Sequence, residues 1–276
     1  MSKQFQKVIS PHKFIPAIIE NEIDFEEKWV SNKPWVLSNL SHIAYFQDDK
    51  ITEFMKQLGT IKTIFYDHKG AQAYLAIWED KAVLIFRGTQ SVEYPKRKQE
   101  KLSYYHKILI KFFIKLPINP FSLLFLSNDV IADLKFIHRP FNNIKKVGVH
   151  TGFLEETEKL WDKISEDIDK HTPTIPVWVT GHSLGGAMAT LAGMKRPFEA
   201  VTTFGEPRVG RKIKQAFQAK NHTRYVNGDD PVTKLPPKFF SYYKHHGDKI
   251  RITDSDGSSS AIYDHSIIYY SENLNF

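Results

Sequence analysis

The chain reads as an α/β fold, with a mostly parallel central sheet, helices on both faces and an antiparallel meander near the N-terminus. Three observations predict it. From residue 145 onward strand-like and helical runs alternate, as they do when parallel strands are joined by crossover helices. Ahead of them, three apolar runs separated by tight turns read as a meander. Between these halves the run Val177–Gly186, VWVTGHSLGG, passes from an alternating strand through a Gly-framed serine into small residues (Ala187, Ala189, Ala192). That is the pattern of a strand, a sharp turn and a helix beginning directly under a serine.

Taken in order, the opening stretch of about 35 residues is polar, broken by Pro11, Pro16 and Pro34, and reads as irregular. Trp35–Leu58 reads as helix, because Leu37, Leu40, Ile43, Ala44, Ile51, Phe54 and Met55 recur near period 3.6. Gln47–Lys50 is a point at which it can break in two, and Gly59 ends it. The meander strands are Ile61–Tyr66, Ala71–Trp78 and Ala82–Arg87, with turns at Asp67–Gly70 and Glu79–Lys81. Further strands are expected at Lys146–Val149, Pro176–Thr180, Ala200–Phe204, Thr223–Val226 and Lys249–Thr253, and helices at Asp129–Ile137, Gly152–Lys170, Leu184–Met194 and Arg211–Ala219. With no internal repeat or low-complexity linker, residues 1–276 read as a single domain carrying one large insertion at 92–127.

Composition narrows the chemistry. The apolar (41%) and charged (25%) fractions are those of an ordinary globular protein. The absence of cysteine excludes disulfides, a thiol nucleophile and a zinc–thiolate site. No metal cluster is evident, and no cofactor is expected. The N-terminus lacks the apolar core and small-residue cleavage pattern of a signal peptide, and no run of ~20 apolar residues exists. A cytoplasmic or peripheral membrane location is therefore expected, with signal-independent export left open. The net charge of +7 is concentrated in the insertion rather than in any nucleic-acid-binding pattern, so no nucleic-acid partner is expected.

The serine sets the functional question. A bare G-x-S-x-G arises by chance in about one chain in ten of this length, so the flanking strand and small-residue helix carry the reading. Ser183 would stand clear of the surface over a helix N-terminus that favours negative charge. A serine hydroxyl needs a histidine base oriented by a carboxylate. In this chain order both lie downstream. TRYVNGDDPVTKLPP (223–237) places Asp229 and Asp230 just past a strand, where acids face the site of an open α/β sheet, and spacing alone does not choose between them. Of His222, His245, His246 and His265, the last follows the acid, whereas His245 and His246 sit in a basic, aromatic stretch that reads as surface. Two backbone donors for the oxyanion are expected from Leu184, next to the serine, and from Thr89, after the strand that ends in Arg87-Gly88.

Together these segments resemble the fungal-type (class 3) lipases of the α/β-hydrolase superfamily. IFRGTQ is similar to that family's oxyanion loop, VHTGF (149–153) to its strand-to-helix corner, GHSLGG to its nucleophile elbow, and FGEPRVG (204–210) to its Gly-x-Pro-Arg-x-Gly segment. NGDDPVTKLPP and DHSIIYY are similar to its acid and histidine segments. The likeness runs from about Leu37 to Tyr270. It implies Ser183, Asp230 and His265 as the catalytic set and Thr89 with Leu184 as oxyanion donors. It also implies His182 as a supporting neighbour, His150 at the corner, and Glu206 with Arg208 supporting the loop near the acid. The implied activity is hydrolysis of lipid esters, as a triacylglycerol lipase or phospholipase A1. A soluble-ester or feruloyl esterase, or a catalytically idle membrane-binding module, are the alternatives.

The departure from the family is the length of the segment after the oxyanion loop, where a short lid is usual. Within it, LSYYHKILIKFFIKL (102–116) sets Lys107, Lys111 and Lys115 four apart beside a wide apolar face that includes Phe112 and Phe113. Such a helix suits a lipid interface, and 102–126 is expected to act as lid and as the contact with a lipid surface. The competing reading is a core helix with a solvated lysine edge. Acyl length, regioselectivity and oligomeric state are not encoded in any motif.

Overall fold

The computed structural model describes residues 14–88, 138–142, 144–236, 243–253 and 261–275. Four helices open it: α1 (Ala17–Glu20), α2 (Phe25–Ser31), α3 (Lys33–Ile43) and α4 (Asp48–Gln57). The strands are β1 (Lys62–His68), β2 (Ala71–Ile77), β3 (Ala82–Phe86), β4 (His138–Phe141), β5 (Ile144–His150), β6 (Val177–His182), β7 (Ala200–Phe204), β8 (Gly210–Arg211), β9 (His222–Val226) and β10 (Asp248–Arg251). Helix α5 (Thr151–His171) precedes β6 and α6 (Leu184–Lys195) follows it, and α7 (Ala261–Asp264) and α8 (Ile267–Asn273) end the described chain.

Seven strands form the main sheet in the order β1-β2-β3-β6-β7-β9-β10. β1–β2–β3 pair antiparallel, and from β3 to β10 every pairing is parallel. A smaller sheet has the order β4-β5-β8. The central strands are apolar on both faces because both faces are covered. Along β3, Val83 and Ile85 pack with Trp35, Leu40 and Ile43 of α3, while Leu84 and Phe86 turn to Leu160 and Ile164 of α5 and Met188 of α6. Helix α6 is buried from Gly185 to Met194, which explains why its sequence is small and apolar all round rather than amphipathic. Among the described residues no helix is long and apolar enough to cross a membrane.

Two expectations are corrected. The opening residues are not irregular: α1 and α2 lie there. Asp24 caps α2 by accepting from the Glu27 N–H at 2.9 Å, and Phe25 stacks on Trp78 at 4.6 Å. The buried Lys81 ammonium reaches Glu26 at 2.9 Å and Asp80 at 2.6 Å. Helices this short are held by tertiary packing and leave little periodic signal. Arg211–Ala219 is not a helix either. Gly210 and Arg211 pair with β5, and only a 3-10 turn, Ile213–Gln215, follows. The Gln47–Lys50 break is present, separating α3 from α4. The expected helix Asp129–Ile137 and the insertion at 92–127 lie outside the described residues, as do Thr89, Lys107, Lys111, Lys115, Phe112 and Phe113.

Candidate active site

Ser183 sits between β6 and α6 with φ 58° and ψ −126°. A residue with a side chain held at positive φ stores roughly 1–3 kcal/mol of strain, and the surrounding glycines make the turn sterically feasible. A Cβ on Gly181 would overlap the Gly185 carbonyl, and one on Gly185 would overlap the Phe86 carbonyl at the end of β3. The turn is pinned by the Ser183 N–H, which donates to the Phe204 carbonyl at 3.0 Å. Leu184 occupies the first position of α6, so its N–H has no acceptor within the helix and stands beside the serine.

His265 follows α7, and its Nε2 lies 3.0 Å from Ser183 Oγ. Its Nδ1 lies 3.0 and 2.9 Å from the two Asp230 oxygens. Asp230 follows β9 and is fully buried. Its carboxylate also accepts from the Val232 N–H at 2.8 Å and from the Tyr270 hydroxyl at 2.7 Å. An ionised carboxylate only accepts, so Nδ1 carries the proton and donates to Asp230. Nε2 is then free to accept from the serine hydroxyl. Of the two acids that spacing left open, Asp230 is the one that meets the imidazole. Asp229 is half-exposed and faces Lys234 at 3.5 Å.

A second line of contacts holds the histidine from behind. His182 Nε2 lies 2.8 Å from the His265 carbonyl, and its Nδ1 lies 2.7 Å from the Tyr45 hydroxyl at the end of α3. Burial, reinforced by the neighbouring His265, holds the His182 imidazole well below the usual histidine range, so it is neutral. A carbonyl only accepts, so the His182 proton is on Nε2, and Tyr45 donates its hydroxyl proton to Nδ1. Burial pushes the Tyr45 phenol upward, which keeps that donor in place.

The acid and histidine segments are also cross-tied. The Asp264 carboxylate accepts from the Asp229 N–H at 2.8 Å, and Asn227 Nδ2 donates back to the Asp264 carbonyl at 3.2 Å. Asn227 is itself fixed, its Oδ1 accepting from Thr253 at 2.8 Å and from Asn273 at 2.9 Å.

The remaining expected residues fall nearby. His150 Nδ1 accepts from the Phe153 N–H at 3.3 Å and caps α5 at the corner. Arg208 donates to the Lys234 and Pro236 carbonyls, in the loop that follows the acid. Glu206 does not support that loop. It is buried against Thr190 (2.9 Å), Thr203 (2.6 Å) and His222 (3.2 Å). Burial alone would raise its carboxyl, but His222, Arg224 and His245 bring the net shift downward. His245 and His246 are half-buried and hydrogen-bonded rather than on the open surface. His245 Nε2 donates to the Thr233 carbonyl at 2.8 Å, and His246 Nδ1 is 3.1 Å from His222 Nδ1. Both are pushed down to about 4, chiefly by burial.

Tyr45, Tyr270, Asp264 and Asn227 were not anticipated. Tyr270 has a weak cue, an aromatic one helical stretch beyond His265, while Tyr45 lies 137 residues from its partner with no local signal. Among the described residues no group of three His, Cys, Asp or Glu side chains could hold a metal ion.

Residues 126–240 match the family described as Lipase (class 3). A secreted mono- and diacylglycerol lipase 1 of Fusarium solani is 38% identical over 123 residues, 41% of this chain and 37% of that protein. A chloroplastic phospholipase A(1), DAD1, of Arabidopsis thaliana is 36% identical over 107 residues, 32% of this chain and 24% of that protein. The chain thus spans well under half the length of these curated relatives. The solved structure of the Rhizomucor miehei lipase–propeptide complex superposes with a TM-score of 0.56 at 20% identity, covering 88% of this chain and 79% of that one, which shows the fold. The expected cytoplasmic or peripheral membrane location is overturned by these relatives, since the Fusarium protein is a secreted lipase. The elbow, the sheet order and the matched segment agree: residues 126–240 are similar to the class 3 lipases, and the chain has the α/β-hydrolase fold.

Proposed function

We propose that this protein is a serine carboxylester hydrolase acting on lipid esters, either acylglycerols or the acyl esters of phospholipids. The observation that carries the reading is the unbroken hydrogen-bonded line Ser183 Oγ–His265–Asp230, closed at 3.0 and 2.9 Å. Ser183 Oγ attacks the ester carbonyl carbon as its proton passes to His265 Nε2. Asp230 fixes the imidazole's orientation and stabilises its cationic form. The developing oxyanion is held by the Leu184 N–H at the positive end of α6, and by the Thr89 N–H as the second donor. The imidazolium gives its proton to the departing alcohol, leaving an acyl-serine. Water, deprotonated by the same imidazole, attacks this ester and releases the fatty acid, and the proton returns to Ser183. No step calls for a metal or cofactor.

The chain acts as a single catalytic unit, with 92–127 as an insertion whose 102–126 portion serves as lid and as the contact with the lipid surface. Support for this comes from the sequence, where lysines border a wide apolar face. His182, His150 and Arg208 act as supports of the serine, the corner and the acid loop.

The test uses wild type and Ser183→Ala with a fluorophosphonate probe, a p-nitrophenyl ester series, and defined acylglycerols and phospholipids. Wild type is expected to be labelled at Ser183 and to turn over both ester classes, and the variant to lose at least about a thousandfold in kcat. A folded wild type that the probe does not label would leave only a catalytically idle module.

A further inference from the structure

Besides the insertion, a second stretch of the chain is rich in positive charge. Residues 206–251 carry eleven Lys or Arg against four Asp or Glu, whereas α5 carries seven acids against three lysines. Of these charges Glu206, Asp230, Arg208 and Arg224 are buried and Lys220 pairs with Glu199, and the exposed remainder is still basic. A focus of this charge is β10, which among the described residues is the last strand of the main sheet, paired with β9 and exposed at all four of its residues. Lys249 and Arg251 alternate there with Ile250, itself 43% exposed. Lys234, from the turn after the catalytic acid, joins them. Burial, then Arg251, Arg224 and Lys234, lower the Lys249 amine below the usual lysine range, a mark of how closely these charges crowd.

The position of this edge relative to the site is defined. β10 runs parallel to β9, so its C-terminal end lies at the sheet edge from which Asp230 emerges. Arg251 donates to the Gly228 carbonyl at 2.7 Å, and the Thr253 hydroxyl accepts from the Gly228 N–H at 2.9 Å. A surface seated on β10 is therefore seated beside the acid turn of the site.

We propose that the Lys234–Lys249–Arg251 edge is a docking surface for an anionic lipid interface, which presents the ester-cleaving site to its substrate. This rests on the lipid-ester reading above. A sheet of negative headgroups complements the cations, and their place beside the acid turn of an ester-cleaving site favours a lipid surface over a nucleic-acid backbone.

The experiment measures partitioning of the full chain onto vesicles of diether phosphatidylcholine with and without diether phosphatidylglycerol. Ether lipids cannot be hydrolysed, so docking is read apart from turnover, and ester hydrolysis is measured separately. Wild type should bind the anionic vesicles, and the binding should weaken as salt is raised. Each lysine near such a surface contributes about fivefold, so Lys234→Gln/Lys249→Gln should lose about thirtyfold in partitioning. Lys56→Gln/Lys170→Gln, with the same charge removed from other faces, should stay within about twofold of wild type. Unfolding midpoints verify that each variant is folded. Equal partitioning of the two double variants overturns the proposal and leaves lipid contact to other segments. So does binding to duplex DNA with none to anionic vesicles. Vesicle binding without ester hydrolysis would instead sink the catalytic reading and leave the docking surface standing.

Discussion

Removing the carboxylate of Asp264 tests whether Asp230 and His265, the proposed acid and base, are held in register by the tie between their segments. In the wild type, that carboxylate accepts the Asp229 N–H at 2.8 Å and fills the space over Gly228, whose φ of +43° brings its backbone so near that a Cβ there would lie 2.7 Å from it. Asp230 and His265 each lie one residue along from the tie. Asp264→Ala deletes a hydrogen bond to a charged acceptor, which contributes about 1.5–3 kcal/mol. It also frees the turn that aims Asp230. A displacement of about 1 Å between reacting groups costs up to about 100-fold in rate. The expected outcome on a soluble p-nitrophenyl ester is therefore a 10- to 100-fold fall in kcat, by these same magnitudes, with KM within about twofold. Asp264→Asn retains an acceptor oxygen and should recover most of the loss. Burst amplitude with the fluorophosphonate gives the fraction of competent sites, so slower chemistry is separated from unfolding. An Asp264→Ala enzyme that keeps kcat within twofold would refute the tie as a positioning device.

Two further outcomes follow from the same geometry. Tyr270→Phe leaves the ring packed against Phe204 and His182 but removes the 2.7 Å hydroxyl donor to the buried Asp230, so unfolding free energy by urea titration should drop by about 1.5–3 kcal/mol; a change under about 0.5 kcal/mol would mean the hydroxyl contributes nothing net. His245 and His246 are held near about 4 in the fold against 6.5 when unfolded, so between these values the unfolded chain binds more protons and stability falls as pH drops from about 6.5 towards 4. At 1.36 kcal/mol per unit this approaches about 3 kcal/mol for His245 and is smaller for the partly hydrated His246. Urea midpoints at pH 7, 5.5 and 4.5 should show the slope in wild type and a shallower one in His245→Asn, and identical slopes would exclude this origin.

What the sequence revealed follows from how local each determinant is. β7 and the start of α6 stand at the residues their apolar pattern predicted, because buried parallel strands and a small-residue helix state their environment in every side chain. Ser183 was legible for the same reason: the constraint of the turn is written into Gly181 and Gly185, two residues to either side. The opening helices were not, since α2 depends on Lys81 and Trp78 from the meander rather than on its own periodicity. Arg211–Ala219 looked helical by composition, yet Arg211 is committed to β5 and Lys212 takes φ 55°, which ends any helix before it starts. His245 and His246 looked like surface because flanking lysines and tyrosines dominate the stretch, whereas burial there is decided by Glu206, His222 and Thr233, all distant in sequence.

The segment that carries the family's pattern, 126–240, holds Ser183, Asp230 and His182 but not His265, Tyr45 or Tyr270. Those come from the two ends of the chain. Tyr45 reaches in from the N-terminal helical layer to fix His182, which in turn holds the His265 carbonyl, while Tyr270 reaches in from α8 to hold Asp230. Both ends pack on one face of the sheet in a single apolar cluster, with Tyr45, Phe204, Ile267 and Tyr270 among its members. The imidazole is thus held by hydrogen bonds at its two nitrogens and at its own carbonyl, and three of the groups in that arrangement lie outside the recognisable motif. A catalytic base must be fixed to a fraction of an ångström, and an elbow after β6 and an acid turn after β9, with β7 between them, fix only the two ends of the line. The helical layer over α3 and α8 supplies the rest. On the proposed mechanism, variation in that layer, far from any motif, is predicted to act on ester hydrolysis through the orientation of His265.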